Sequence, residues 1–351
     1  MAEAEAPARR GSNLDYPFAK RPEPGETQVV APGVHWVRMP MPFQLNHINL
    51  WLLEDGDGWT IVDTGLRDEP TAEAWKHLFA GAMENRPVKR VIVTHLHPDH
   101  VGMAGWLVRR FGVELWMSRT DYLMCRNLVA DTGLEAPEEG LRFYRAAGFS
   151  DEALEAYRTR FGGFGRGVYT LPNSYRRIQE GENIRIGDRS WEVVVGRGHA
   201  PEHACLLCRK DNLFISGDQI LPRISSNVSV FPTEPEANPL QDWLDSCAML
   251  KRLLPADALV LPSHNEPFRG APLRLDELIG EHEANMEKVA AICAEPKRAI
   301  DCFGALFRSR ITSGNYLMAA GESLAHLNCL RARGLIARHR DDRGVDWYVR
   351  Q

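Results

Sequence analysis

One stretch in the first third of the chain crowds three imidazoles and a carboxylate together: Thr94-His95-Leu96-His97-Pro98-Asp99-His100. Imidazole and carboxylate are ligands that suit zinc, iron and manganese. The stretch directly follows an apolar β-like run. His95 and His97, two apart, can project to one side, and the turn begun at Pro98 brings Asp99 and His100 round to a second point nearby. One short loop can therefore serve two metal ions. Histidine is scarce, with twelve in the chain, and half of them fall in this loop and two later segments. Those segments are Gly198-His199-Ala200-Pro201-Glu202-His203 and Leu259-Val260-Leu261-Pro262-Ser263-His264. Between them, Phe214-Ile215-Ser216-Gly217-Asp218 sets a carboxylate just past another apolar run, suited to bridging two cations. Each of these polar residues follows a strand-like run, so all can converge on one edge of a sheet assembly.

The elements that must position them alternate in type. Residues 34–38, 48–53 and 59–62 read as strands, with Asp55-Gly56-Asp57-Gly58 as a hairpin turn. A helix is expected over 72–82, a strand over 88–94, helical spacing over 105–111 and a strand over 113–117. Alternation then stops. Residues 120–175 read as a helical insertion with a Gly-rich loop, Phe161-Gly162-Gly163-Phe164-Gly165-Arg166-Gly167, which lacks the Gly-Lys-Ser/Thr of a phosphate loop. Strands resume at 184–186, 190–195, 204–208, 213–216 and 258–261, with a helix near 239–254. From 281 onward three helices (284–293, 299–307, 323–333) and a hairpin form a winged-helix-like module, so the expected domains are a flexible tail 1–26, a catalytic domain 27–280 and a C-terminal module 281–351.

With these residues in this order the chain resembles the metallo-β-lactamase-fold hydrolase superfamily, whose pattern is His-x-His-x-Asp-His followed by a lone His, an Asp and a final His. The resemblance runs from about residue 34 to 268 and includes Asp63-Thr64-Gly65, similar to the family's Asp-Thr-Gly turn. It implies an α+β fold, a four-layer αββα sandwich. It places His95, His97 and His199 on a first metal, Asp99, His100 and His264 on a second, and Asp218 between them. Asp63 would orient a ligand rather than coordinate, and His203 would be structural. Glu202 stands where a smaller residue is usual. The tail module gives the chain the plan of glyoxalase II-like and lactamase-like hydrolases.

Two divalent metals, with zinc expected and iron or manganese as alternatives, would share a water, lower its pKa and polarise the substrate oxygen. Asp99 is placed to orient the attacking hydroxide or to pass a proton to the leaving group. A thiolate leaves with little protonation, so a small ester-like substrate is expected, with a thioester favoured. A phosphodiesterase or endoribonuclease and a non-catalytic metal-binding regulatory protein are the alternatives. Phe161, Phe164 and Tyr169 on the insertion, and His47 at a strand edge, are candidates for substrate contact.

Composition narrows the setting. The chain has 351 residues, 44% hydrophobic and 25% charged, with a net charge of −5. That excludes disorder, collagen and coiled coil, and gives no global reason to bind nucleic acid or an anionic membrane. Arg331, Arg333, Arg338, Arg340 and Arg343 form a modest basic strip, but Asp341, Asp342 and Asp346 interleave with it. No run approaches the roughly 20 apolar residues of a membrane span. The first 26 residues hold no signal-peptide-like stretch and the seven cysteines show no framework spacing, so a cytoplasmic, reducing setting is expected. Cys205 and Cys208 lie three apart in a strand and should face opposite sides.

Overall fold

The computed structural model describes residues 13–351. Two sheets face each other. The first runs, in spatial order, β1 (Thr27–Ala31), β2 (Val34–Pro40), β3 (His47–Asp55), β4 (Gly58–Val62), β5 (Val88–Ile92), β6 (Leu115–Met117) and β7 (Arg176–Arg177). The second holds β8 (Asn183–Ile186), β9 (Arg189–Gly196), β10 (His203–Cys208), β11 (Leu213–Gly217) and β12 (Leu259–Pro262), in the order β12-β11-β10-β9-β8. Helices α1 (Glu69–Ala80), α2 (Pro98–Val101), α3 (Ala104–Phe111) and α4 (Arg119–Ala130) belong to the first half, and α5 (Glu138–Ala146) and α6 (Asp151–Arg160) complete the insertion. Helices α7 (Pro239–Leu253), α8 (Ala271–Ile292), α9 (Phe303–Leu306) and α10 (Tyr316–Ala332) follow, and the hairpin β13 (Ile336–Arg340) and β14 (Asp346–Arg350) ends the chain.

The period-two alternation of each strand sorts side chains into layers. Trp36, Trp51, Val62 and Ile92 point inward and meet Trp191, Val193, Leu206 and Leu261 between the sheets. Their neighbours Leu50, Leu52 and Ile61 point outward onto Trp75 and Leu78 of α1 and Leu107 of α3. On the far side Leu207, Phe214 and Val260 pack against Trp243 of α7, Leu275 of α8 and Leu327 of α10. These four layers are the expected αββα sandwich. Cys205 lies in the outer cluster and Cys208 in the inner one. All seven cysteines are free and buried.

Parallel pairing β4–β5–β6 and β11–β12, with β9 aligned to β11 through antiparallel β10, brings the carboxyl ends of these strands to one edge. Bonds across the two sheets close that edge: Ala204 N donates to Thr94 O at 2.8 Å, and Asn49 N to Ser263 O at 2.6 Å. Loops at this position are where sheet folds of this kind place their chemistry.

Two features of the structure bear on the expected organisation. The tail is not loose over residues 13–26: Leu14 is buried in the outer core, Asp15 pairs with Arg269, and Arg21 forms an ion pair with Glu266. The remainder of that tail, residues 1–12, lies outside the described residues. A boundary at 280/281 would cut α8, which runs unbroken through it, because Leu275, Leu278, His282, Met286 and Val289 recur at helical spacing and are buried along one face. The C-terminal module therefore shares its core with the outer face of the second sheet. Among the described residues no helix is long and apolar enough to cross a membrane.

Candidate metal centre

The edge loops gather two sets of donor atoms. His95, His97, His199 and Asp218 form one set, and Asp99, His100 and His264 the other, with donor atoms within 4.8 Å of one another in each. These are the seven residues singled out in the sequence, brought together at one edge.

Strand ends set their places. His95 to His100 follow β5, and α2 starts at Pro98, a residue suited to a first helical turn. Two of these donors follow a glycine that no other residue could replace. Gly198 has φ +102°, and a Cβ there would lie 2.5 Å from Pro239 O; Gly217 has φ +51°, and a Cβ would lie 2.3 Å from His203 Cε1. Any other residue would displace the His199 or Asp218 turn.

Within the first set, His95 Nε2 is 2.9 Å from His97 Nδ1 and 3.2 Å from His199 Nε2, and His199 Nε2 is 3.3 Å from Asp218 Oδ2. In the second, His264 Nε2 is 3.4 Å and His100 Nε2 3.7 Å from Asp99 Oδ2. Asp218 Oδ1 reaches the second set, 3.5 Å from His100 Nε2 and 3.4 Å from His264 Nε2. Four ligands at about 2.0–2.1 Å around a tetrahedral ion stand about 3.3–3.4 Å apart. The observed spacings bracket that value, and the donor chemistry suits a divalent ion.

The far nitrogens fix the tautomers. His199 Nδ1 lies 2.7 Å from the Asn227 carbonyl and His264 Nδ1 2.9 Å from the His47 carbonyl. His100 Nδ1 lies 2.9 Å from Asp63 Oδ2. His95 Nδ1 lies 3.1 Å from Thr94 Oγ1, whose own proton goes to Asp63 Oδ2 at 2.8 Å. Every one of these partners can only accept, so the four Nδ1 atoms carry a proton and the four Nε2 atoms face the centre. His100 Nε2 and Asp218 Oδ1 are buried without a hydrogen-bond partner, as atoms awaiting an ion would be.

Electrostatics divide the sets. Burial, then the neighbouring imidazoles, holds His95 well below the usual histidine range, and burial with His199 takes His97 to about 3. Burial also disfavours charge on His264 and His100, but Asp218 and Asp99 outweigh it, raising His264 to about 10 and His100 well above 6.5. Burial opposes ionisation of Asp99, yet His100 and His264 lower it to about 2. A divalent ion would take the place of the protons that the two histidines otherwise hold.

The residues around the ligands have separate tasks. Asp63, at φ +62°, accepts from Thr94 N at 2.8 Å as well as from Thr94 Oγ1 and His100, and thus orients without joining either set. His203 Nε2 accepts from Asp218 N at 3.0 Å, so its ring holds the Asp218 backbone. His47 turns out to be engaged within the chain: Nδ1 meets Asn46 Oδ1 at 3.0 Å and Nε2 accepts from Asn265 N at 2.9 Å. Its side chain thus has no nitrogen left for substrate, and its carbonyl positions His264 instead. Phe161 packs on Tyr157 within the insertion, while Phe164 and Tyr169 pack on the helix-covered face of the first sheet. Tyr169 also lies under the Arg67 guanidinium, 4.6 Å from its ring centre.

Sequence reasoning missed Asp121. This fully buried carboxylate accepts from Leu96 N at 3.0 Å, Glu202 N at 2.8 Å and Ser118 Oγ at 3.2 Å. It joins the loop of His95 and His97 to the turn of His199. Burial pushes it up to about 6. In sequence it is an acid in the first turn of a helix, indistinguishable from one that answers the helix dipole. Glu202, unexplained by sequence, accepts from Thr120 N at 2.9 Å and caps α4 from a distant loop.

The family model for the Metallo-beta-lactamase superfamily matches residues 44–264, and one for the Metallo-beta-lactamase-like, C-terminal domain matches 286–351. The chain belongs to the metallo-beta-lactamase superfamily. It is a metal-dependent hydrolase. The structure of a beta-lactamase domain protein from Burkholderia ambifaria is 42% identical with a TM-score of 0.89, covering 96% of this chain and 98% of that one. The probable metallo-hydrolase YqjP of Bacillus subtilis is 24% identical over 86% of this chain and 92% of its own length. Human acyl-coenzyme A thioesterase MBLAC2 is 24% identical over 67% of this chain and 79% of its own length.

Proposed function

We propose that this superfamily member is a dinuclear hydrolase of small ester-like substrates, with thioesters favoured and zinc the expected ion. The observation that carries the reading is the Asp218 carboxylate, which turns Oδ2 to the first donor set and Oδ1 to the second. Two divalent cations held there would lower the pKa of a shared water towards neutrality and polarise the acyl oxygen. His95, His97 and His199 hold the first position, and Asp99, His100 and His264 the second, with Asp218 between them. Asp99 is the more accessible of the two ligating carboxylates, with 17% of its side chain exposed against 10% for Asp218. Its free edge is placed to orient the attacking water and to take its proton. A thiolate needs no proton from the protein in return, which matches a site whose other acids are engaged.

The similarity to a human acyl-coenzyme A thioesterase supports the thioester class. Nucleic acid is disfavoured by the state of the basic strip. Arg331 and Arg338 pair with Glu236 at 3.0 and 2.7 Å, Arg333 with Glu283 at 2.8 Å, and Arg340 with Asp346 at 2.6 Å. Metal content of the purified enzyme, measured beside turnover of acyl-CoA and glutathione thioesters, lactones, a phosphodiester and short RNA, tests the proposal. About two ions per chain with thioester or ester turnover is expected. Cleavage confined to the phosphodiester or RNA would overturn it.

A further inference from the structure

One loop, residues 225–230, lies between the metal centre and the C-terminal module and is bonded to both. On the metal side Ser226 Oγ donates to the Asp218 carbonyl, and the Asn227 carbonyl accepts the His199 Nδ1 proton at 2.7 Å. On the module side Val230 N donates to Gly321 O at 3.1 Å, Ser229 Oγ lies 3.4 Å from Met318 O, and Ser225 Oγ lies 3.1 Å from His282 Nε2 on α8. The Asn227 side chain is gripped at both ends: Oδ1 accepts from Ser229 Oγ at 2.6 Å and Nδ2 donates to Glu322 Oε2 on α10 at 2.9 Å.

A second observation shows that this contact is built closely. Gly321 sits inside α10, where glycine is less favourable than alanine. A Cβ there would stand 2.7 Å from Ser229 Cβ, so the glycine lets the loop lie directly on the helix. Val228, at the centre of the loop, is fully buried.

We infer that the C-terminal module positions the metal centre, and that Glu322 is its positioning residue: by holding the Asn227 side chain it fixes the carbonyl that sets the tautomer and direction of His199. The inference rests on the reading of His199 as a metal ligand. A carbonyl that orients a ligating imidazole is itself orientable, and here the side chain that aims it is held by a residue 95 positions away. The module's shared core with the second sheet then has a functional consequence, since displacement of α10 would reach His199 through two hydrogen bonds.

The test uses the intact enzyme and zinc, with affinity measured by competition against a chromophoric chelator and kcat and KM measured separately. Glu322→Ala is compared with Glu322→Gln, which keeps an acceptor, and with Leu327→Ala, a buried α10 change outside the loop contact. Glu322→Ala is expected to weaken zinc binding about tenfold, the lower end of the range for outer partners of a ligand, with kcat falling and KM little changed. Glu322→Gln should restore both, and Leu327→Ala should lower the melting temperature without changing zinc affinity. Where Glu322→Ala does not fold, Glu322→Asp withdraws the acceptor by one methylene and serves the same comparison. Unchanged affinity in Glu322→Ala, or in Glu322→Asp where it stands in for it, or an equal loss in Leu327→Ala, would overturn the inference alone. A wild-type chain that binds no zinc would overturn the metal reading and the inference with it.

Discussion

The two edges that meet at the metal centre are held by different means. The first-sheet edge supplies His95, His97, Asp99 and His100 from one loop, and side-chain carboxylates support it: Asp63 holds Thr94 and His100, and Asp121 holds the Leu96 amide. The second-sheet edge supplies His199, Asp218 and His264 from separate strand ends. There the supports are the carbonyls of Asn227 and His47 and the ring of His203. A carboxylate aims an imidazole and adds charge, whereas a carbonyl aims it and adds none. The first edge is thus open to breakage by one side-chain substitution. The carbonyl acceptors of the second survive most substitutions and fail when the backbone that bears them moves, whereas its third support, the His203 ring, is a side chain.

The largest effect is expected at the residue the edges share. Asp218→Ala removes a donor from both sets, and turnover should fall by at least about 10³-fold, as several kcal/mol of metal-assisted activation is lost. Metal content, measured in parallel, should fall below the wild-type value; retention of full content and turnover would break the symmetry argued from its two oxygens.

The contrast between supports predicts an intermediate pair. Asp63→Ala should weaken the Asp99, His100 and His264 position by about 10–100-fold, measured by zinc competition, because the acceptor belongs to the deleted side chain. His47→Ala leaves the carbonyl that receives His264 in place, so its zinc affinity should change far less. Its cost should appear in the melting temperature, since Asn265 N loses its acceptor, worth about 1–3 kcal/mol. Equal losses of affinity in both variants would remove the distinction.

The smallest effect is a pH dependence. Burial raises the Glu322 carboxyl to about 7, offset in part by its bond from Asn227. A raised carboxyl pKa means that the folded state holds a proton the unfolded state has lost, so the stabilisation is full below the ordinary glutamate value and fades as pH rises through about 7. Melting temperatures of wild type measured against Glu322→Gln, which mimics the protonated acid, should therefore diverge between about pH 4.5 and 7, with wild type losing ground. Parallel curves would place the Glu322 carboxyl in a more solvated setting.

Much of this was legible in the residues. The apolar run Leu50 to Leu53, the apolar runs before His95, Asp218 and His264, and the Asp55 to Gly58 turn each predict an element the structure contains, because apolar runs and turn chemistry act over a few residues. The histidine donors were visible because histidine is scarce, and four of the seven donors because they share one compact loop. Asp121, Asn227 and Glu322 were not. Each is an ordinary polar residue in its local context: an acid in a first helical turn, the first residue of Asn-Val-Ser, an acid on a helix. Their tasks exist only across sequence separations of 25, 28 and 95 residues.

By itself, then, the sequence determined which side chains could bind metal and which strand-like runs carry them, while the layered sandwich came with the resemblance to the superfamily. Tertiary structure alone decided which nitrogen of each histidine faces the centre, because a tautomer is set by the partner of the other nitrogen and those partners arrive from other loops. It also decided that α8 runs through the expected domain boundary, that residues 13–26 dock on the body, and that the C-terminal module touches the chemistry at all. Local patterns are written in short-range propensity and burial, but the direction of a hydrogen bond depends on where two distant segments finally meet.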